Sequence, residues 1–205
     1  MKKLLLVLLV LTVQLGYSQS KEYYKDAVNN CIVNSNKDAA MLNDIVNNCV
    51  KGKYIANYDF TTVDGEVIST DKVDKPILLI AAATWCAPCW GEIPALNKMV
   101  EKYDGQMQFV MIFWDTKENV AKMAEKLDKR IKLVASEAEH ADKSTIEVNG
   151  FIHMLDYPTA YLISKDKQIL NFKRGAASPS KKLTWEQVNE MNEKQLEEFV
   201  KPVLQ

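Results

Sequence analysis

Cys86 and Cys89, in the segment Trp85-Cys86-Ala87-Pro88-Cys89, are the side chains whose type and spacing point most directly to chemistry. An apolar run from Pro76 to Ala83 precedes them and a helical stretch follows, so the pair falls where a buried strand ends and a helix begins. Unpaired backbone N–H groups and the positive end of the helix favour a thiolate over a thiol at that junction. A free cysteine has a pKa of ~8.5, and such settings lower it to roughly 3.5–7.5. The thiolate is the attacking species in disulfide exchange, so the position supplies a nucleophile at neutral pH. Cys86, nearest the helix end and the more exposed, is expected to attack; Cys89 is expected to resolve the mixed disulfide. Pro88 limits the backbone between them and has no N–H to lose in the first helical turn.

Two inert readings stand beside this one, a zinc site and a structural disulfide. Zinc usually takes two ligand pairs, but Cys31 and Cys49 stand eighteen apart, and His140 and His153 share no ligand spacing with either pair. No metal and no cofactor is expected. In an oxidising compartment Cys31 and Cys49 would favour a structural bridge. Straight antiparallel helices over 21–33 and 37–50 would hold them more than ~10 Å apart, at ~1.5 Å rise per residue. A disulfide needs its Cα atoms within ~7 Å. A bridge therefore requires a broken or differently packed second segment.

The elements around the cysteines follow from periodicity and turn chemistry. Residues 21–50 read as helical, with Tyr24, Val28 and Cys31 on one stripe and a break at Asn34-Ser35-Asn36. Stretches 54–60 and 67–69 flank Val63-Asp64-Gly65 as a hairpin. Strands are expected at 76–83, 108–114 and 131–135, the first two as continuous apolar runs. Helices are expected from the cysteines to about Tyr103, and from an Asp115-x-x-Glu118 capping box to about Lys129. Paired strands at 158–164 and 168–173 surround Lys165-Asp166-Lys167, and Thr184-x-x-Gln187 caps a last amphipathic helix to about Val203. This order describes an α/β sandwich with a mixed central sheet flanked by helices. A short helical extension, 19–52, precedes a main domain over 53–205, the boundary falling near Gly52.

Lys2 and Lys3, the apolar run from Leu4 to Val13 and the small or polar Gly16, Tyr17 and Ser18 have the form of a signal peptide over 1–18. The run is short of the ~20 residues a membrane span needs, so no stable membrane insertion is expected after cleavage. Without Lys2 and Lys3 the 26 basic residues fall to 24 against 27 acidic ones, a net charge near −3. That balance gives no electrostatic reason to expect nucleic-acid binding. The 47% hydrophobic content fits an ordinary globular core.

Ala83-Thr84-Trp85-Cys86-Ala87-Pro88-Cys89 resembles the active-site segment of the thioredoxin superfamily, most closely its exported TlpA/ResA-like branch. Pro94 is similar to the proline that bends the superfamily's active-site helix, and Glu92 to an acidic residue common in the exported branch. Tyr157-Pro158-Thr159 resembles the strand with a cis-proline opposite the cysteines. The resemblance runs from about Tyr54 to the C-terminus and implies a thioredoxin-like fold and an exported thiol–disulfide oxidoreductase. Such an enzyme reduces client protein disulfides, with duties in apocytochrome c maturation or oxidative repair, and takes electrons from a membrane-embedded or exported donor. The resemblance gives Glu92 a proton-transfer role toward Cys89 and places Trp85, Tyr157 and Pro158 beside the client chain.

The chain also departs from the family. Thioredoxin's buried aspartate is replaced by Ile80, which leaves Glu92, water or no group at all as the proton relay, and Trp90 stands where a basic residue is common. Trp90 could form part of a docking surface for an apolar client segment. The stretch from Val148 to Pro158 is longer than usual, and His153 within it reads as a groove or loop histidine. A binding module or metal-handling protein with a non-catalytic CxxC is the alternative from another class. A peroxidase would need a spacing of threonine and cysteine that Thr84-Trp85-Cys86 does not supply.

Overall fold

A computed structural model describes residues 21–34 and 49–204, so the expected signal peptide and most of the second helical segment lie outside it. Helix α1 (Tyr24–Asn34) buries Tyr24 and Val28 in the same apolar cluster as the central sheet. Next comes an antiparallel hairpin, β1 (Asp59–Thr61) and β2 (Val67–Ser69), with Gly65 at φ +89° in its turn. Strand β3 (Ile77–Ala82) is buried at all six positions, as its unbroken apolar run requires. Helix α2 (Ala87–Tyr103), strand β4 (Gln108–Thr116), helix α3 (Lys117–Ala124) and strand β5 (Lys132–Ser136) follow. A second hairpin, β6 (Ile146–Val148) and β7 (Phe151–His153), leads to β8 (Thr159–Ile163) and β9 (Ile169–Arg174). Helix α4 (Trp185–Val200) and a 3-10 turn at Lys201–Val203 close the chain, and α4 opens on the expected Thr184–Gln187 capping box.

The central sheet has the order β5-β4-β3-β8-β9. β3, β4 and β5 run parallel, while β8 is antiparallel to β3 and β9 to β8, which makes the sheet mixed. Side chains alternate between the faces of a strand. Ala160 and Lys173 are register partners on one face, Tyr161 and Phe172 on the other. Lys173 reaches Glu92 on α2, and Tyr161 reaches Tyr24 on α1. The two helices therefore cover opposite faces, with β3 sandwiched between them. No helix among the described residues is long and apolar enough to cross a membrane.

Two local expectations are corrected, and a third stretch gains a definite form. Asp115 does not cap the helix after β4: Thr116 holds the N-cap position without a side-chain bond, and the Asp115 carboxylate turns to Thr84 instead. Helix α3 stops at Ala124, short of Lys129, because Asn97 of α2 binds the Lys126 carbonyl and the Asp128 N–H and so takes the place of helical partners. The longer stretch around Gly150 is a regular hairpin. Asn149 and Gly150 have φ of 48° and 83°, the left-handed pair that a tight two-residue turn demands.

Cys31 and Cys49 are joined by a disulfide with Cα atoms 6.4 Å apart. Cys49 and Val50 lead into Gly52, whose N–H donates to the Ile169 carbonyl at 2.8 Å.

Candidate active site

Strand β3 delivers the cysteines. It ends at Ala82, and the chain then turns through Thr84 and Trp85 into α2. Cys86 is the N-cap of that helix, and its Sγ accepts the Cys89 N–H at 3.1 Å. The first cysteine thus occupies the position where free backbone donors and the helix dipole stabilise negative charge on sulfur. Pro88 sits in the first turn, where a missing N–H costs nothing, and Pro94 lies within the helix. Cys86 and Cys89 are joined as a disulfide with Cα atoms 5.3 Å apart. Cys86 is 5% exposed and lines a cleft of about 530 Å³, whereas Cys89 is 1% exposed and lies beneath it.

The turn before α2 is fixed from two sides. Buried Asp115, at the end of β4, accepts the Thr84 N–H at 2.7 Å and the Thr84 hydroxyl at 2.5 Å. Trp90, half-buried, donates its indole N–H to the Thr84 carbonyl at 2.7 Å. These three bonds satisfy the polar groups of a residue that the sheet no longer pairs. Trp90 thereby faces its own loop, outside the lining of the cleft.

Trp85, Cys86, Ala87 and Pro88 form one wall of the cleft, Asp156 and Tyr157 another, and Asp142 to Ser144 the third. Trp85 is 49% exposed, yet its ring meets Trp114 and Tyr157 edge-on at 6.0 and 5.6 Å, and Lys143 Nζ stands 5.5 Å from its centroid. Trp114 steadies the third wall by donating to the Asp142 carbonyl at 3.2 Å. The Asp142 carboxylate accepts from Ser144 and Thr145, which holds it below the usual carboxylate range. The Tyr157–Pro158 peptide is cis, and Pro158 is buried behind Tyr157. The Tyr157 hydroxyl is buried without a partner among the described residues, and burial, then the carboxylates of Asp142, Asp156 and Asp115, push its pKa up.

Glu92 follows Cys89 by three residues on α2, and both are 1% exposed, so they share the buried face of one helical turn. Lys173 Nζ lies 2.6 Å from its Oε1. Burial raises the Glu92 pKa, and Lys173 offsets part of that rise. A carboxyl raised in this way holds its proton to higher pH than an exposed one, one helical turn from the resolving cysteine.

Trp85, Cys86 and Tyr157 therefore meet at one cleft, Pro158 lies buried behind Tyr157, Cys89 and Glu92 are covered, and Trp90 braces the loop. The sequence points to Asp115 only as a helix cap and to Lys173 not at all, yet both act at the site. Asp115 carries a weak signal, an acidic residue at the end of a long apolar strand; Lys173 carries none, since its role depends on strand pairing. His153, expected in a groove or loop, is fully buried in β7.

The model of the AhpC/TSA family matches residues 52–172. Thioredoxin-like protein YneN of Bacillus subtilis (strain 168) is 27% identical over 119 residues, covering 56% of this chain and 66% of YneN, just under two thirds of its length. Thiol-disulfide oxidoreductase ResA of Bacillus thuringiensis subsp. konkukian (strain 97-27) is 26% identical over 157 residues, covering 74% of this chain and 78% of ResA. Among solved structures, a thiol:disulfide interchange protein of the thioredoxin family from Chlorobium tepidum TLS shares the fold. Its TM-score is 0.52 at 18% identity, over 74% of this chain and 98% of that one.

Proposed function

Because the chain belongs to the AhpC/TSA family and carries a thioredoxin-like fold, we propose that it is an exported thiol–disulfide oxidoreductase that reduces the disulfides of client proteins. The observation that carries this reading is the placement of Cys86: its sulfur caps α2, accepts a backbone N–H and opens onto the cleft, while Cys89 is covered.

The structure holds the oxidised form, so the cycle begins after an external dithiol has reduced the Cys86–Cys89 bond. The Cys86 thiolate attacks one sulfur of the client disulfide. That S–S bond breaks, a Cys86–client mixed disulfide forms, and the other client sulfur leaves as a thiolate that takes a proton from solvent. Cys89 passes its proton to Glu92 and attacks Cys86 Sγ. The second client sulfur is released as a thiolate and takes up the proton that Glu92 held, and the internal disulfide returns, two electrons having moved to the client. A membrane-embedded or exported donor restores the dithiol.

Trp85, Tyr157 and Pro158 are assigned to holding the client. The Tyr157 N–H and C=O make no hydrogen bond among the described residues, and Pro158 has no N–H, which leaves an extended client backbone groups to pair with beside Cys86. The Cys31–Cys49 bridge supports an oxidising compartment, in keeping with the leader-like N-terminus. The Thr84 hydroxyl is committed to Asp115 and so is not offered to a peroxide. Insulin reduction driven by dithiothreitol tests the assignment: the wild-type chain is expected to accelerate it, and equal rates for wild type and Cys86→Ala would overturn the assignment.

A further inference from the structure

A row of buried groups joins the N-terminal helix to the wall of the cleft. Tyr24 Oη lies 2.9 Å from Tyr161 Oη, Tyr161 Oη 2.6 Å from His153 Nδ1, and His153 Nε2 2.9 Å from the Asp156 carbonyl oxygen. A carbonyl only accepts, so Nε2 carries the hydrogen. Burial pushes the His153 pKa down to about 4, so the ring is neutral at neutral pH and Nδ1 is bare. Tyr161 therefore donates to Nδ1, and Tyr24 donates to Tyr161. All three hydrogens point the same way, from α1 toward Asp156.

Asp156 is a demanding end point. It lines the cleft with Tyr157 and holds φ of 62°, a left-handed conformation that costs a non-glycine residue unless its surroundings impose it. Those surroundings are visible. Its carbonyl also accepts the Thr159 hydroxyl at 2.8 Å, its carboxylate pairs with Arg174, and Arg174 Nε donates to the neighbouring Leu155 carbonyl at 2.9 Å. The far end of the row is anchored as well. Tyr24 stacks on Phe151 with centroids 5.6 Å apart, its N–H donates to the Tyr54 carbonyl at 2.8 Å, and Cys31 of α1 is bonded to Cys49. The two parts of the sequence that the thiol chemistry leaves unused, the N-terminal extension and the β6–β7 hairpin, thus meet in this row.

Resting on the exchange reaction proposed above, we propose that Tyr24, Tyr161 and His153 are positioning residues that set the Asp156–Tyr157 wall of the cleft. Through them the N-terminal helix governs how tightly a client chain is held beside Cys86. None of the three touches the reacting sulfurs. Their effect falls on client binding and leaves the Cys86–Cys89 couple as it is.

The test compares full-length wild type with Tyr24→Phe, Tyr161→Phe and His153→Gln. Each is assayed with a peptide disulfide and with the small disulfide dithiobis-nitrobenzoate, and its reduction potential is measured. Tyr161→Phe and His153→Gln are expected to raise KM for the peptide about tenfold, and Tyr24→Phe about threefold, the scale of one lost buried hydrogen bond. The peptide kcat, the small-disulfide rate and the potential are expected to stay at wild-type values. Tyr24→Phe keeps its ring packing, so it decides the matter should His153→Gln not fold. A wild-type KM in both tyrosine variants, or losses shared equally by the two disulfides, overturns the proposal. If wild type itself reduces neither disulfide, the exchange assignment fails on its own. Backbone amide shifts then judge the row: Tyr24→Phe is expected to move the Asp156 and Tyr157 resonances, and unmoved resonances refute it.

Discussion

Lys173 Nζ sits 2.6 Å from Glu92 Oε1, joining the edge strand β9 to the helix that carries both active-site cysteines. The carboxyl is closed off from solvent while the ammonium keeps partial access, and Lys173 is the only charge partner of Glu92 among the described residues. Burial raises the Glu92 pKa above its unfolded value. The folded chain therefore binds this proton more tightly than the unfolded one. The associated stability is full below the unfolded pKa and is lost as pH rises through the folded one.

Lys173→Met removes the charge that offsets burial, so Glu92 is expected to stay protonated to higher pH. The fall in stability should extend upward in pH in Lys173→Met and vanish in Glu92→Gln, as read from denaturant midpoints between about pH 4 and 8. The pH profile of client reduction should shift in the same direction in Lys173→Met. An unshifted profile would mean that Glu92 does not serve Cys89.

Asp115→Ala leaves the Thr84 N–H and hydroxyl without their acceptor. A loss of about 2–3 kcal/mol in unfolding free energy is expected from two bonds to a buried carboxylate. The loop that sets Trp85 and Cys86 should loosen with it, slowing insulin reduction. Wild-type stability by urea titration would show that the loop holds its shape without Asp115.

The Cys31–Cys49 bridge closes a loop of sequence separation 18. Cys31→Ser/Cys49→Ser should cost roughly 3 kcal/mol by the loop-closure argument, while insulin reduction per folded molecule persists. A complete loss of reduction in the folded double variant would give this bridge a role in the reaction.

Trp85 is half-exposed but rests edge-on against Trp114 and Tyr157. Trp85→Ala should change stability by only about 1 kcal/mol and raise KM for a peptide disulfide about tenfold, as expected of an aromatic anchor at a binding cleft. An unchanged KM would take Trp85 out of the client surface.

Much of this arrangement was legible in the sequence, and what was missed has a common cause. The apolar run into Trp85-Cys86 announced a strand–helix junction, since burial on both faces forces continuous hydrophobicity. Thr184 and Gln187 announced α4 because capping chemistry is local. Asn149-Gly150 is an equally local hairpin signal, since both of its residues must take positive φ in a two-residue turn. Asp115 was read as a cap because a carboxylate before a helix ordinarily is one, yet Thr84, brought alongside by the parallel pairing of β3 and β4, offers two donors to it. Lys173 with Glu92, and Tyr24 with Tyr161, are separated by 81 and 137 residues. Such pairs become visible only once strand order and register put them on the same face.

The direct test of the division of labour between the cysteines is covalent trapping. Cys89→Ala and Cys86→Ala are each reduced, mixed with a peptide disulfide, quenched with acid and mapped by mass spectrometry. A stable peptide adduct on Cys86 in Cys89→Ala, and none on Cys89 in Cys86→Ala, is the expected result. Adducts of equal yield in the two variants, or attachment at Cys31 or Cys49 in place of Cys86, would contradict it.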